Sequence, residues 1–186
     1  MSENRPGRFS DIDVVLSAAA GASDLRFLLE GWERPVMGFY TVNPPGILTV
    51  VYARGFCVEA GIRRTMAQDE MPRTRVLLNH GLVTAERAEF IDIARLYRPD
   101  YIIYGDGPRV LYKAMLKFLN GKPETAFALL EELNAGGKSF PRSDFTAQWE
   151  ETLHKCVAKE NLSDPAAGEF AWLLDRAREN VVETLW

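Results

Sequence analysis

Val36-Met37-Gly38-Phe39-Tyr40-Thr41-Val42-Asn43-Pro44-Pro45-Gly46-Ile47-Leu48-Thr49-Val50-Val51-Tyr52-Ala53-Arg54-Gly55-Phe56-Cys57 admits two readings, and the class of fold hangs on which one holds. In the first, Asn43-Pro44-Pro45-Gly46 is the turn of a hairpin between Met37–Val42 and Ile47–Cys57. In the second, Asn43 caps a helix, Pro44 takes its first position, and the helix runs on to about Gln68. Val51, Tyr52, Gly55, Phe56, Glu59, Arg63 and Met66 fall on i, i+3, i+4 rows, which favours the helix. The run Thr49-Val50-Val51-Tyr52 leans to strand, and Gly55 and Gly61 each cost a helix about 1 kcal/mol relative to Ala. The helix is the expected form, with its two glycines marking a close helix crossing; the hairpin is the alternative.

Outward from this stretch the helical pattern recurs. On the N-terminal side, Ser10 and Asp13 read as a helix start. Ile12, Leu16, Ala19, Ser23 and Phe27 then follow at helical spacing, with Leu25, Leu28 and Leu29 widening the stripe and Gly31 ending it. On the C-terminal side, a short helix is expected over Thr74–Asn79. Thr84 caps the next, which buries Ala88, Ile91, Ala94, Leu96 and Tyr97. Tyr101–Tyr104 reads as a lone strand or an extended buried linker. Gly105-Asp106-Gly107-Pro108 opens a helix through Val110, Leu111, Ala114, Met115, Phe118 and Leu119, which Gly121 stops. Pro123 opens another, through Phe127, Leu130 and Leu133. Ser143 caps one carrying Phe145, Trp149, Leu153, Cys156 and Val157. Asp164-Pro165 starts the last, through Phe170, Leu173, Leu174, Ala177, Val181 and Leu185. The expected fold is therefore mainly α: a single bundle of about seven helices over residues 10–186, with a flexible start at 1–9 and a small β-hairpin around 36–57 as the alternative.

At 186 residues the chain is long enough to bury a core without staples. Its net charge of −4 gives no general attraction to nucleic acid or acidic lipid. The charge is uneven: the net is −2 over residues 1–53, +3 over 54–119 and −5 over 120–186. An anion would be drawn only to the middle third, where Arg63, Arg64, Arg73 and Arg75 cluster. Cys57 and Cys156 have no partner-like spacing and read as small apolar residues in a reducing compartment. With no leader at the start and no long apolar run, the cytoplasm is expected and the membrane is not.

Three local signals bear on chemistry. In Arg75-Val76-Leu77-Leu78-Asn79-His80, an Arg precedes a His by five positions. This resembles the Arg-x4–6-His motif of the HEPN superfamily, whose helical ribonucleases and toxins cleave RNA with it, although Val76 stands where the family usually has a polar residue. The resemblance implies His80 as the acid–base group and Arg75 as the holder of the scissile phosphate. It also implies a homodimer, with RNA drawn in by Arg63, Arg64 and Arg73. The second signal, Glu151-Thr152-Leu153-His154, resembles half of the di-iron site of ferritin-like bundles. Its second half is missing, since Leu77 stands where a Glu before His80 would be, so no metal and no cofactor are expected. The third is the Gly-rich turn before Arg109, which offers amides and a charge to an anion but lacks the length and Lys-Ser/Thr of a phosphate loop.

With few catalytic residue types and an acidic C-terminal third, the expected function is a non-enzymatic protein-interaction module. An adaptor, a regulatory subunit or an inhibitor of a basic partner would fit. The alternative is the HEPN-like ribonuclease.

Overall fold

The described residues of the computed structural model, which are 12–17, 22–41, 46–68, 83–87, 89–134 and 144–183, form seven strands and six helices, with most strands in the first half and four consecutive helices at the end. The strands are β1 (Ile12–Ser17), β2 (Met37–Tyr40), β3 (Ile47–Val51), β4 (Cys57–Ala67), β5 (Val83–Ala85), β6 (Glu89–Ile91) and β7 (Ile103–Tyr104). The helices are α1 (Ala22–Glu30), α2 (Ile93–Leu96), α3 (Asp106–Leu119), α4 (Pro123–Leu133), α5 (Phe145–Glu160) and α6 (Asp164–Glu183). The fold is α/β, built on a mixed sheet, and this overturns the expected all-helical bundle.

The deciding stretch is a hairpin. β2 pairs antiparallel with β3, Tyr40 opposite Leu48 and Met37 opposite Val51. Thr41 closes it by donating its backbone N–H to the Ile47 carbonyl at 2.9 Å. Gly46 has φ +88°, a value no helix interior adopts, so a helix from Asn43 could not pass through it. The expected helix to Gln68 is replaced by β3, a tight turn at 53–55 and the long strand β4. That strand is the spine of the sheet. Its first half lies between β1, parallel, and β3, antiparallel. Its second half pairs with β5, parallel, and β6, antiparallel. On the far side β7 joins β2 in parallel.

Strand periodicity sorts the side chains onto two faces. Leu48, Val50, Tyr52, Val58, Ala60 and Ile62 pack under Leu25 and Leu29 of α1 and Ile93 and Tyr97 at α2. Met37, Phe39, Val51, Cys57 and Tyr104 pack under α3 to α6. A sheet covered on both faces buries successive residues, which is why Cys57 and Val58, on opposite faces of β4, are both buried and its first half shows no clean alternation.

The helical layer matches the sequence closely. Pro123 stands at the start of α4 and Gly121 follows α3 with φ +70°. α5 is capped by Asp144, which accepts the Ala147 N–H at 3.0 Å, rather than by the expected Ser143, which lies outside the described residues. Trp149 is the largest fully buried side chain; it donates its indole N–H to the Leu111 carbonyl at 2.9 Å and lies against Phe170. The expected helix at 84–97 is instead β5, β6 and the short α2. The expected helix at 10–27 is instead β1 followed by α1. The expected Thr74–Asn79 helix and residues 1–9 lie outside the described residues. Among the described residues, no helix is long and apolar enough to cross a membrane.

Candidate functional site

The chain leaves α1 at Gly31 and lays Trp32 across the end of the sheet. There Trp32 meets the two residues that flank the β3–β4 turn. Its ring centroid is 4.4 Å from that of Tyr52 and 5.1 Å from that of Phe56, and the Tyr52 and Phe56 centroids are 5.5 Å apart. Tyr52 is the base of this stack. It is fully buried and donates its hydroxyl to the Leu29 carbonyl at 2.7 Å. Burial pushes that hydroxyl up to about 12. Trp32 is the top of the stack and is 55% exposed. One turn earlier on α1, Phe27 is 80% exposed. Isolated exposed apolar residues such as Leu96 and Val157 are ordinary. Two large exposed aromatics five positions apart in sequence, one of them braced by two further rings, are less so.

The turn between Tyr52 and Phe56 is held from the opposite side of the sheet. Arg54 and Gly55 both have left-handed backbones, φ +68° and +76°, so their successive N–H groups point into one concavity. Glu169 of α6, only 4% exposed, fills it. One carboxylate oxygen accepts Gly55 N–H at 2.6 Å and the other accepts Arg54 N–H at 2.8 Å. Burial raises the Glu169 carboxyl above its ordinary range against the pull of these two amides, and the nearby Glu33 charge adds to the rise. The arrangement binds the backbone of the turn.

Two other polar clusters join elements together. On the helix-bundle face, Glu59 of β4 accepts the Thr49 hydroxyl at 3.2 Å and pairs with Lys113 of α3 at 2.5 Å. On the α1 face, Tyr97 donates to Glu30, and the Tyr101 hydroxyl lies 3.4 Å from that of Tyr97. Arg26 binds Asp100 at 3.1 Å and the Arg98 carbonyl at 3.0 Å, closing the same corner.

Among the described residues, those singled out from sequence each have separate partners or lie exposed. Arg75, His80 and Arg73 lie outside the described residues. The helical frame that the HEPN resemblance implies is replaced by the mixed sheet. Arg63 and Arg64 are neighbours on β4 and diverge: Arg63 stacks its guanidinium 4.5 Å from the Phe90 ring centroid, and Arg64 pairs with Glu89 at 2.6 Å. Arg109 turns back on its own helix start, its Nε 2.9 Å from Asp106. His154 is exposed, and Glu151 beside it pairs with Lys155 at 2.9 Å. Among the described residues, no group of three or more His, Cys, Asp or Glu is placed to hold a metal ion. Neither Cys57 nor Cys156 forms a disulfide; the first is buried and the second half-buried.

Sequence reasoning missed Phe27, which it put on a buried stripe, and it missed Trp32 and Glu169 altogether. Ala53-Arg54-Gly55 between two apolar runs is a turn signal, but nothing local to Glu169 marks it as that turn's partner. Compared with family models, curated proteins and solved structures, the chain matches none.

Proposed function

We propose that the chain is a non-enzymatic protein-interaction module that docks a partner segment on Trp32 and Phe27. The observation that carries this reading is the braced, outward-facing Trp32, held on Tyr52 and Phe56 while 55% exposed. A ring already fixed in place loses little conformational entropy on binding, and Trp is among the residues that dominate binding energy. Covering Phe27 alone would remove on the order of 100–200 Å² of apolar surface, roughly 2.5–5 kcal/mol before the costs of association.

The surrounding charge narrows the partner. Arg26, Glu30 and Asp100 satisfy one another. The exposed Glu33 and Arg34 follow Trp32 in sequence, and the exposed Arg54 stands in the turn between Tyr52 and Phe56. The fitting occupant is a segment with an apolar anchor and a carboxylate beside it. In the acidic third that pointed to a basic partner, Glu150, Glu151 and Glu179 pair with Arg178, Lys155 and Arg176, and the net of −5 over residues 120–186 already counts those cations. We propose the reducing cytoplasm as the module's compartment, a reading that fits two cysteines without a disulfide.

Selection from a displayed random-peptide library against the purified chain tests this. The expected winners carry an aromatic or branched aliphatic anchor flanked by Asp or Glu. Their affinity should fall roughly tenfold or more in Trp32→Ala and in Phe27→Ser, with circular dichroism unchanged. No enrichment, winners flanked by Lys or Arg, or winners that bind both variants as well as the parent, would overturn it.

A further inference from the structure

We infer that Glu169 is a positioning residue for this docking surface: reaching past the end of the sheet from α6, its carboxylate fixes the 53–55 turn and thereby the platform on which Trp32 rests. The inference rests on the docking reading for its purpose, but its physical content concerns the free chain. Tyr52 and Phe56 flank the turn and are joined by the Tyr52 N–H to Phe56 carbonyl bond at 2.9 Å. Both carry Trp32. The turn itself contains two left-handed residues, and the non-glycine one, Arg54, holds that conformation at a cost. What offsets it is the pair of charge-assisted bonds from Arg54 and Gly55 to a single carboxylate.

The two ends of this contact belong to opposite layers. Tyr52 packs with α1, while Phe170, the neighbour of Glu169, packs in the core under α3 to α6. The shape of the aromatic surface is thus tied to the seating of α6. A segment or modification that displaced α6 would be felt at Trp32 without touching it, because the contact is a short chain of packed and hydrogen-bonded groups.

Nuclear magnetic resonance on the free chain tests this. In Glu169→Ala, hydrogen exchange at the Arg54 and Gly55 amides should speed by roughly tenfold or more, since both lose their acceptor. The Trp32 indole N–H signal should shift or broaden, while the buried Trp149 indole signal stays. Glu169→Gln, close in shape, covers the case in which the alanine variant does not fold. Arg54 and Gly55 use different carboxylate oxygens, and in Gln one of those positions becomes an NH2 group that cannot accept, so protection should survive at one of the two amides and be lost at the other. The inference is overturned if both amides keep parental protection in the Gln variant. It is equally overturned if they exchange faster with the Trp32 indole unmoved. Neither readout involves a partner, so a failure here leaves the peptide selection standing, and a failed selection leaves this coupling measurable.

Discussion

Lys113 and Glu59 form the ion pair that joins α3 to the sheet, Nζ to Oε1 at 2.5 Å with side chains only 27% and 16% exposed. Glu59 also accepts the Thr49 hydroxyl, so its carboxylate is satisfied from both a neighbouring strand and the helix above. Removing one partner from a largely buried pair strands the other charge. Lys113→Met should therefore cost about 2 kcal/mol, read as a lower urea midpoint with an unchanged slope. The double variant Lys113→Met with Glu59→Gln should recover part of the loss. If the single variant stays within about 0.5 kcal/mol of the parent, the pair behaves as a surface contact and the argument fails.

Gly46 is fixed by both backbone and neighbours. Its φ of +88° disfavours any residue with a β-carbon, and such a carbon would lie 2.4 Å from the Ile91 carbonyl oxygen. That oxygen belongs to backbone just before α2 and cannot swing aside as a flexible side chain would. Gly46→Ala should cost at least about 2 kcal/mol. Thermal unfolding checks it; a midpoint equal to the parent's would show that the hairpin end does not need this geometry.

How much of this was legible follows from which spacings discriminate. An i, i+4 pair fits both a helix and a strand, because four is near one helical turn and is also even. Ile12 and Leu16 are such a pair; Val14 between them, on the same face of β1, is the residue that signals strand. In β4 both faces are covered, so Cys57, Val58, Ala60 and Ile62 are all buried and a helical row can be drawn through the strand. α3 to α6 were readable because each is amphipathic with one side to the core, and Pro123, Gly121 and Asp164 punctuate them. The candidate site was not readable. Trp32 and Glu169 are 137 positions apart in the chain, and the turn they both serve lies between them. Only the closure of the sheet end brings the three together.

The α1 face makes an alkaline prediction. Burial raises the Tyr52 hydroxyl to about 12, and raises Tyr97 and Tyr101 further from their ordinary value of 10.0. Tyr97 is also held protonated by donating to Glu30. Each folded-state value exceeds the unfolded one, so the stability these groups contribute is fully present below pH 10.0 and is lost as pH rises through the folded values. Ionising any of them would place a charge among Leu25, Leu29 and Ile93. In a near-ultraviolet tyrosinate titration, the signal of Tyr52, Tyr97 and Tyr101 should therefore be held back above the ordinary value and appear in a steep step that coincides with loss of far-ultraviolet circular dichroism. All six tyrosines ionising together near pH 10.0 in a chain that stays folded would sink this account.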